Sequence, residues 1–591
     1  MSLVKETFLV DLISNLWIIT IFITLFIFLP LKTSYIADNK IIYSHFLVGA
    51  WLRIMFIVIT GVLGLSYIHL LNWLTLTLLY IIYLRFNYLE SHNWQVRDIS
   101  QTVQNKLLNL IDILDRGLSF KAVAKNILHK LQRTKQIFTN YFEYLITQQE
   151  IIWVTILTLI LGFAILLRWQ YPLSELRFTH PDRYGVLLHT RQILTGNSLN
   201  TSLLPVFPAW AATISLLGSI DSMQVIRFLG PILGIILVLS VGYLVKVLTS
   251  RTASALVAML SLGVYIFTWS GKIVHDLPEW LAHIISILNL SLLRQWSGDE
   301  LELGAIFLLL SLGYYFDSDR QQQKTNSFKI NCLAGVVLLA MTSPPLLIIL
   351  LFAAMVAIGG KRIVLTAIAL SWIVLAIFAA MAQGQLVWTQ SFLLTLPIAL
   401  SLFMGILFNQ ITQIIKILLK KFTEPFCLAL VLSLSFNFLL PQSPNLTYVE
   451  YDMAARKSLE LKNLFPSRSW TLVAPVEQLS QIYGSGWYED LALFVEKYAD
   501  QVSNPEFNFP ISGEHLFVLV EKIPFVTFPE ESPILPNSVL SDRTYQYYRS
   551  TSGRASLEFE ARKMCETYLT QHPNSQVYYE DEELKIFHFR A

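Results

Sequence analysis

The sequence is short of charge. Asp, Glu, Lys and Arg make up 14% of its 591 residues, against 54% for hydrophobic side chains. A soluble globular chain carries roughly 25% charge, so the shortage excludes an ordinary water-soluble fold and points to a polytopic membrane protein. No nucleic-acid partner is expected from a formal net charge of +2. Cysteine is scarcer still: Cys332, Cys427 and Cys565 are too few for a disulfide framework or a cysteine-based metal site. Cys332 and Cys427 lie in apolar runs, and Cys565 alone lies in a polar region. No His-x-x-x-His pair or carboxylate ladder occurs, so spacing indicates no metal site and leaves a divalent cation open. Internal repeats and low-complexity tracts are also missing. The apolar run 10–31 is not followed by a small-residue cleavage site, so a retained span is expected rather than a signal peptide.

Long apolar runs are abundant. A spanning helix needs about 20 apolar residues, and shorter ones are tolerated inside a bundle. Runs that meet this fall at 10–31, 43–65, 68–86, 151–168, 225–245, 253–271, 299–316, 330–344, 345–360, 363–382, 389–410 and 424–440. Segments 203–219 and 281–294 are shorter or broken by proline and read as interfacial helices. The expected fold class is therefore an α-helical polytopic membrane protein of about 12 spans plus interfacial helices. Four regions follow: N-terminal membrane helices at 1–90, a basic helical insert at 91–150, a transmembrane core at 151–440, and a C-terminal domain at 441–591.

Lys and Arg in short loops set orientation. Arg116, Lys121, Lys125, Lys130, Arg133 and Lys135 form a cluster without acids, which places the insert in the cytoplasm. Its helical periodicity reads either as a surface resting on anionic headgroups or as a solvated hairpin supporting the bundle. The basic loops around Lys246, Arg320–Lys329, Lys361 and Lys416–Lys421 then fall inside, and 169–224, Asp276 and the C-terminal region fall outside. Beyond 441 acids outnumber bases and no apolar run exceeds strand length. Runs 469–475, 515–521 and 585–589 read as strands, and 450–463, 486–499 and 555–570 as helices, giving a small extracytoplasmic α/β domain.

The chemistry-bearing stretch is 171–284. Asp182 follows one span, and Asp276 with Glu279 follows another two spans later, so both acidic segments would face the same side. Ionisable groups at a membrane boundary are a functional-site hypothesis by default. One carboxylate can deprotonate an incoming hydroxyl while the other orients it or holds a cation. Arg177, Arg183, Arg191 and Arg227 lie on the same face and suit a phosphate, because a guanidinium donates two parallel hydrogen bonds. Each residue also has an ordinary reading. Asp182 and Asp276 can cap helices, Arg191 can snorkel, Arg227 can mark a span boundary, and His275 and His180 can be hydrogen-bonded interface residues.

The order of these features resembles the membrane glycosyltransferases of the GT-C fold, the group of protein O-mannosyltransferases, aminoarabinose transferases and oligosaccharyltransferases. Their acidic outer loop, Pro-Asp-Glu-x-Arg-Tyr, is similar to His180-Pro-Asp-Arg-Tyr-Gly185, and the helix that follows it to His189–Gly196. Their Pro-led interfacial helix is similar to 204–210, the Val-Arg opening of the next span to Val225-Ile-Arg227, and the second acidic motif to His275-Asp-Leu-Pro-Glu-Trp280. The resemblance covers about 151–362. It departs in the first motif, which is two residues shorter and lacks the second acid, and in the proline that follows Asp276 by two positions. Extra N-terminal spans, the basic insert and the C-terminal domain have no counterpart in it.

The resemblance implies a GT-C-like bundle in the plasma or inner membrane. It implies transfer of a sugar from a polyprenyl-phosphate donor to a hydroxyl of a glycan, lipid or protein acceptor on the outer side, with inversion. Asp182 would be the base and Asp276 an orienting acid. Arg183, Tyr184, Arg191, Arg227, His275 and Glu279 would bind substrate. Two other readings stay open: a noncatalytic scaffold whose outer domain binds a partner or carbohydrate, and a transporter, which needs ionisable residues deep within spans.

Overall fold

The structure is a computed structural model. It describes residues 2–28, 44–91, 151–178, 182–196, 205–267, 278–317, 326–357, 360–382, 387–418, 450–510, 512–524, 547–548 and 550–590. Fifteen described helices precede the C-terminal region: α1 (Ser2–Phe22), α2 (Ser44–Tyr67), α3 (Trp73–Ser91), α4 (Ile151–Ser174), α5 (Asp182–Thr195), α6 (Val206–Gly218), α7 (Ser222–Thr249), α8 (Thr252–Gly263), α9 (Glu279–Ser297), α10 (Glu300–Asp317), α11 (Asn326–Thr342), α12 (Leu347–Val356), α13 (Lys361–Met381), α14 (Val387–Leu394) and α15 (Leu396–Leu418).

Among the described residues, five stretches are long and apolar enough to cross a membrane: Leu47–Tyr67, Ile152–Ser174, Ser222–Thr249, Ile363–Met381 and Leu396–Ile415. Other expected spans are shorter here, for example Leu12–Ile27, Trp73–Arg85 and Thr252–Gly263. The run 424–440 and most of the basic insert lie outside the described residues. The chain is thus a mostly helical protein suited to a membrane. On α4, Ile152, Leu159 and Leu166 are exposed, as are Leu370, Val374 and Phe378 on α13. Such apolar flanks on otherwise packed helices are the condition of a bundle bordered by lipid.

Helix α7 is the centre of the bundle. It packs against α1, α4, α5, α6, α8, α9, α10, α13 and α15. Asp221 caps its first turn, its side chain accepting from Met223 N at 2.9 Å. Ser250, in the left-handed conformation, closes its far end on the Lys246 carbonyl. Helix α6 was expected to lie in the interface. Val206 to Ser215 are all buried within the protein, where α1, α2, α3, α5, α7, α10 and α11 enclose it.

A short helix ending inside a bundle leaves carbonyls without partners, and no water is at hand to satisfy them. Helix α8 ends this way. Arg168 of α4 donates to Gly263 O at 2.8 Å, Leu262 O at 3.0 Å and Ala164 O at 3.3 Å. Gly234 on α7 makes room for it, since a Cβ there would stand 2.6 Å from Arg168 Cδ and Nε.

The C-terminal region folds as three layers. Its elements are α16 (Asp452–Leu464), β1 (Trp470–Ala474), α17 (Glu477–Ile482), β2 (Trp487–Asp490), α18 (Leu491–Tyr498), β3 (His515–Glu521), α19 (Thr551–Gln571), β4 (Gln576–Glu580) and β5 (Leu584–Arg590). The strand order is β2-β1-β3-β5-β4, with β1 parallel to β2 and β3, and β5 antiparallel to β3 and β4. Every residue of β1 is buried, as a strand covered on both faces must be. Ala454 and Leu461 of α16 join one core against the sheet, and Phe494 of α18 with Leu557 and Ala561 of α19 join the other. The run 486–499, expected as one helix, divides at Asp490 into β2 and α18. Asp490 caps α18 by accepting from Ala492 N and Leu493 N.

This domain sits on the end of the bundle where α4 finishes and α7 begins. Asp452 Oδ1 accepts from the backbone of Leu176 and Arg177, and α17 packs on α5. Ile151, at the other end of α4, is 24 residues away along the helix, about 36 Å at 1.5 Å per residue.

Candidate functional site

Helix α5 lies between the bundle and the C-terminal domain and carries four of the sequence-predicted residues. Asp182 is its first residue, and Glu279 is likewise the first of α9. His180, His275 and Asp276 fall outside the described residues.

Arg183 is buried, with Nη2 3.5 Å from Asp299 Oδ2. Asp299 stands just before α10, so this pair ties α5 to the bundle. Tyr184 is fully buried one residue on. Its hydroxyl donates to the Glu450 carboxyl and accepts from Phe178 N at 3.3 Å. Gln478 and Gln481 donate to the same carboxyl at 2.7 Å. Burial pushes the Glu450 carboxyl up to about 8, and Glu477 and Asp452 push the same way, so it is largely protonated at neutral pH. The Tyr184 hydroxyl is also driven upward, by burial first and then by Glu450.

Arg191 lies two turns further along α5 and is 3% exposed. The expectation of an arginine snorkelling from an amphipathic helix does not hold. The C-terminal domain covers α5 and removes the water that snorkelling requires. Arg191 Nη2 donates to Asp221 Oδ1 at 3.1 Å and Oδ2 at 3.3 Å. Lys462, from the last turn of α16, donates to Asp221 Oδ2. One carboxylate thus faces two cations. Burial alone would raise the Asp221 carboxyl, but Arg191 and Lys462 outweigh it and hold it near about 2. Burial lowers both cations from their ordinary values, and Asp221 opposes the shift. Arg191 Nε and Nη1 are buried without a hydrogen-bond partner among the described residues.

Arg227 is placed elsewhere. Its Nε donates to Pro172 O at 2.8 Å and Nη1 to Gln224 Oε1 at 3.1 Å, with the guanidinium 4.7 Å from the Phe228 ring. It caps the C-terminal end of α4, as Arg168 caps α8.

The structure therefore joins Arg191 to Asp221 and Lys462, Tyr184 to Glu450, and Arg183 to Asp299. It gives Arg227 to a helix end. Sequence reasoning missed Lys462 and Glu450, which lie 241 and 266 residues from Asp221 and Tyr184 along the chain, and with them Gln478 and Gln481, which bond Glu450 from 28 and 31 residues away. Asp221 carried one signal: a polar residue just before a long apolar run, where a helix cap belongs. Among the described residues no group of three or more His, Cys, Asp or Glu gathers as a ligand set for a metal ion.

No family model matches the chain, and no curated protein matches it.

Proposed function

We propose that this chain is a membrane glycosyltransferase of GT-C-like architecture, about 12 spans in all, acting on the extracytoplasmic side. It transfers a sugar from a polyprenyl-phosphate donor to a hydroxyl of a glycan, lipid or protein. The observation that supports this reading best is the place of α5. Its first residue is the acid Asp182, it carries buried Arg183 and Arg191, and it lies where the spanning helices α4 and α7 meet the folded domain. A lipid-linked substrate is presented at such a boundary, with its isoprenoid in the bilayer and its phosphosugar outside.

Asp182 accepts the proton of the acceptor hydroxyl as that oxygen bonds to the anomeric carbon. The bond from that carbon to the phosphate oxygen breaks on the opposite face, which inverts the centre and releases polyprenyl phosphate. Arg191 and Arg183 stabilise the charge left on the phosphate. Asp276 orients the acceptor, His275 and Glu279 bind substrate, and Tyr184 and Arg227 hold the surrounding chain in place. In a transporter, ionisable groups within spans would line the path. Among the described residues, the three charged side chains that the five spans bury are engaged in packing: Arg168 holds carbonyls of α8, Arg227 donates to Pro172 O at 2.8 Å, and Arg53 bonds Asn331 at 2.8 Å and Ser327.

Asp182→Asn tests the base. Asn caps a helix about as well as Asp, so folding is kept and only the proton acceptor is lost. Transfer of a radiolabelled lipid-linked sugar in membranes of matched expression should fall by roughly 10²–10⁴-fold. Wild-type transfer by this variant sinks the mechanism and returns the chain to the scaffold reading.

A further inference from the structure

Around Asp221, at the boundary between α5 and the C-terminal domain, two cations meet one carboxylate among the described residues. Arg191 and Lys462 converge on Asp221, which is the acid paired with either of them among the described residues. The side chains are 4%, 24% and 14% exposed, so water screens the excess poorly. An arginine does not shed its proton at physiological pH. Buried excess positive charge is costly without an anion to compensate it. The free donors Nε and Nη1 of Arg191 give that anion acceptor positions to fill. A guanidinium beside an ammonium is a pairing suited to phosphate oxygens.

We propose that Lys462 and Arg191 together grip a phosphate group, and that Asp221 is the internal carboxylate this phosphate displaces. The C-terminal domain then supplies part of the binding site, which is incomplete without it. Identifying the ligand as the phosphate of a polyprenyl carrier rests on the function proposed above. The charge argument does not. Phosphate chemistry has three sources at this boundary: the polyprenyl carrier, a phospholipid headgroup, and free phosphate.

The test uses the full chain in phosphatidylcholine nanodiscs. A polyprenyl monophosphate, inorganic phosphate, and nanodiscs containing phosphatidylglycerol are compared as separate arms, with binding read by native mass spectrometry and a thermal shift. Lys462→Met should weaken the phosphate-bearing probe by roughly tenfold, the weight of one charge-assisted hydrogen bond. Asp221→Asn removes the competitor but keeps the cap on α7, so affinity should rise by a similar factor. Lys462→Arg keeps the charge and should hold affinity even if the methionine variant folds poorly. A structural salt bridge would make both charge-removing variants less stable and change affinity in neither. Unchanged affinity in both, or a fall in both, overturns the proposal. Binding of inorganic phosphate or phosphatidylglycerol without the polyprenyl probe overturns the carrier assignment and leaves an anion site. Loss of transfer has no part in these measurements, so failure of the Asp182 mechanism is scored separately.

Discussion

Two buried arginines, one in each half of the molecule, have opposite surroundings. In the C-terminal domain Arg554 is fully buried, with Nε and Nη2 donating to Glu521 at 2.8 Å and Nη1 to Glu477 at 2.9 Å. A third acid, Glu558, stands nearby and accepts from Glu521 N at 2.9 Å. Three acids thus surround one base. At the boundary with the bundle, Arg191 and Lys462 share one acid among the described residues, Asp221. A surplus of carboxylates can relieve itself by taking up a proton, and the Glu558 carboxyl is driven far upward by burial and then by Glu521. In the basic surplus Arg191 keeps its charge, and only Lys462, which burial lowers, can give up a proton. The acidic cluster holds its compensating base within the fold, and the basic one is where we propose that an anion binds.

The comparison breaks most visibly at Arg554. Arg554→Met leaves Glu477 and Glu521 buried without a counter-charge and should cost about 3–5 kcal/mol. The measurement is the denaturant midpoint for proteolysis of the C-terminal domain in the full chain. A loss below about 1 kcal/mol would show that protonation alone can settle the cluster.

A pH titration comes next. Glu450 has an ordinary value of 4.5 and is held at about 8 in the fold. The folded state therefore keeps a proton that the unfolded chain has lost, and stability falls as pH rises from about 4.5 to about 8. Asp221 works in the opposite sense: its folded value of about 2 adds stability above the ordinary carboxylate range, lost as pH falls toward 2. Protection of the amides of α5 and α17 against hydrogen exchange, corrected for the intrinsic rise of exchange with pH, should fall between about pH 4.5 and about pH 8. Glu450→Gln should flatten that response. An equal response in the glutamine variant would assign it elsewhere.

Arg191→Met should have a smaller effect than Arg554→Met, about 1–3 kcal/mol, because Lys462 remains to pair Asp221. Thermal shifts of both variants in one detergent decide it, and equal losses would end the contrast. The smallest effect is expected at Glu558→Gln. Burial drives the Glu558 carboxyl upward and so favours its neutral form, and an amide of the same shape should keep stability within about 1 kcal/mol. A large loss would mean that Glu558 is ionised and needed beside Arg554.

Regularity decided how much of the fold was legible. The runs read as strands at 469–475, 515–521 and 585–589 became β1, β3 and β5, whose side chains are mostly buried. The edge strands were missed. β2 has four residues and a single fully buried side chain, and β4 has none, so neither carries a periodic apolar signal. Pairing with β1 and β5 makes them strands. Among the proposed site residues, the sequence located α5 and its arginines but not their partners. Tyr184 gave no hint of Glu450, because contacts across 266 residues leave no local pattern.

Composition and apolar run length alone determined that this chain is helical and suited to a membrane, with a folded polar domain after it. Both follow from hydration, which every residue carries into any fold. Which of its arginines are committed to structure was decided only by tertiary packing. Arg168 and Arg227 meet the carbonyls at helix ends, Arg554 meets surplus acid, and Arg191 meets one carboxylate already claimed by Lys462. A guanidinium has the same charge in all four places. Its role depends on the acceptors that the fold brings within hydrogen-bond reach, and those come from helices and strands distant in the chain.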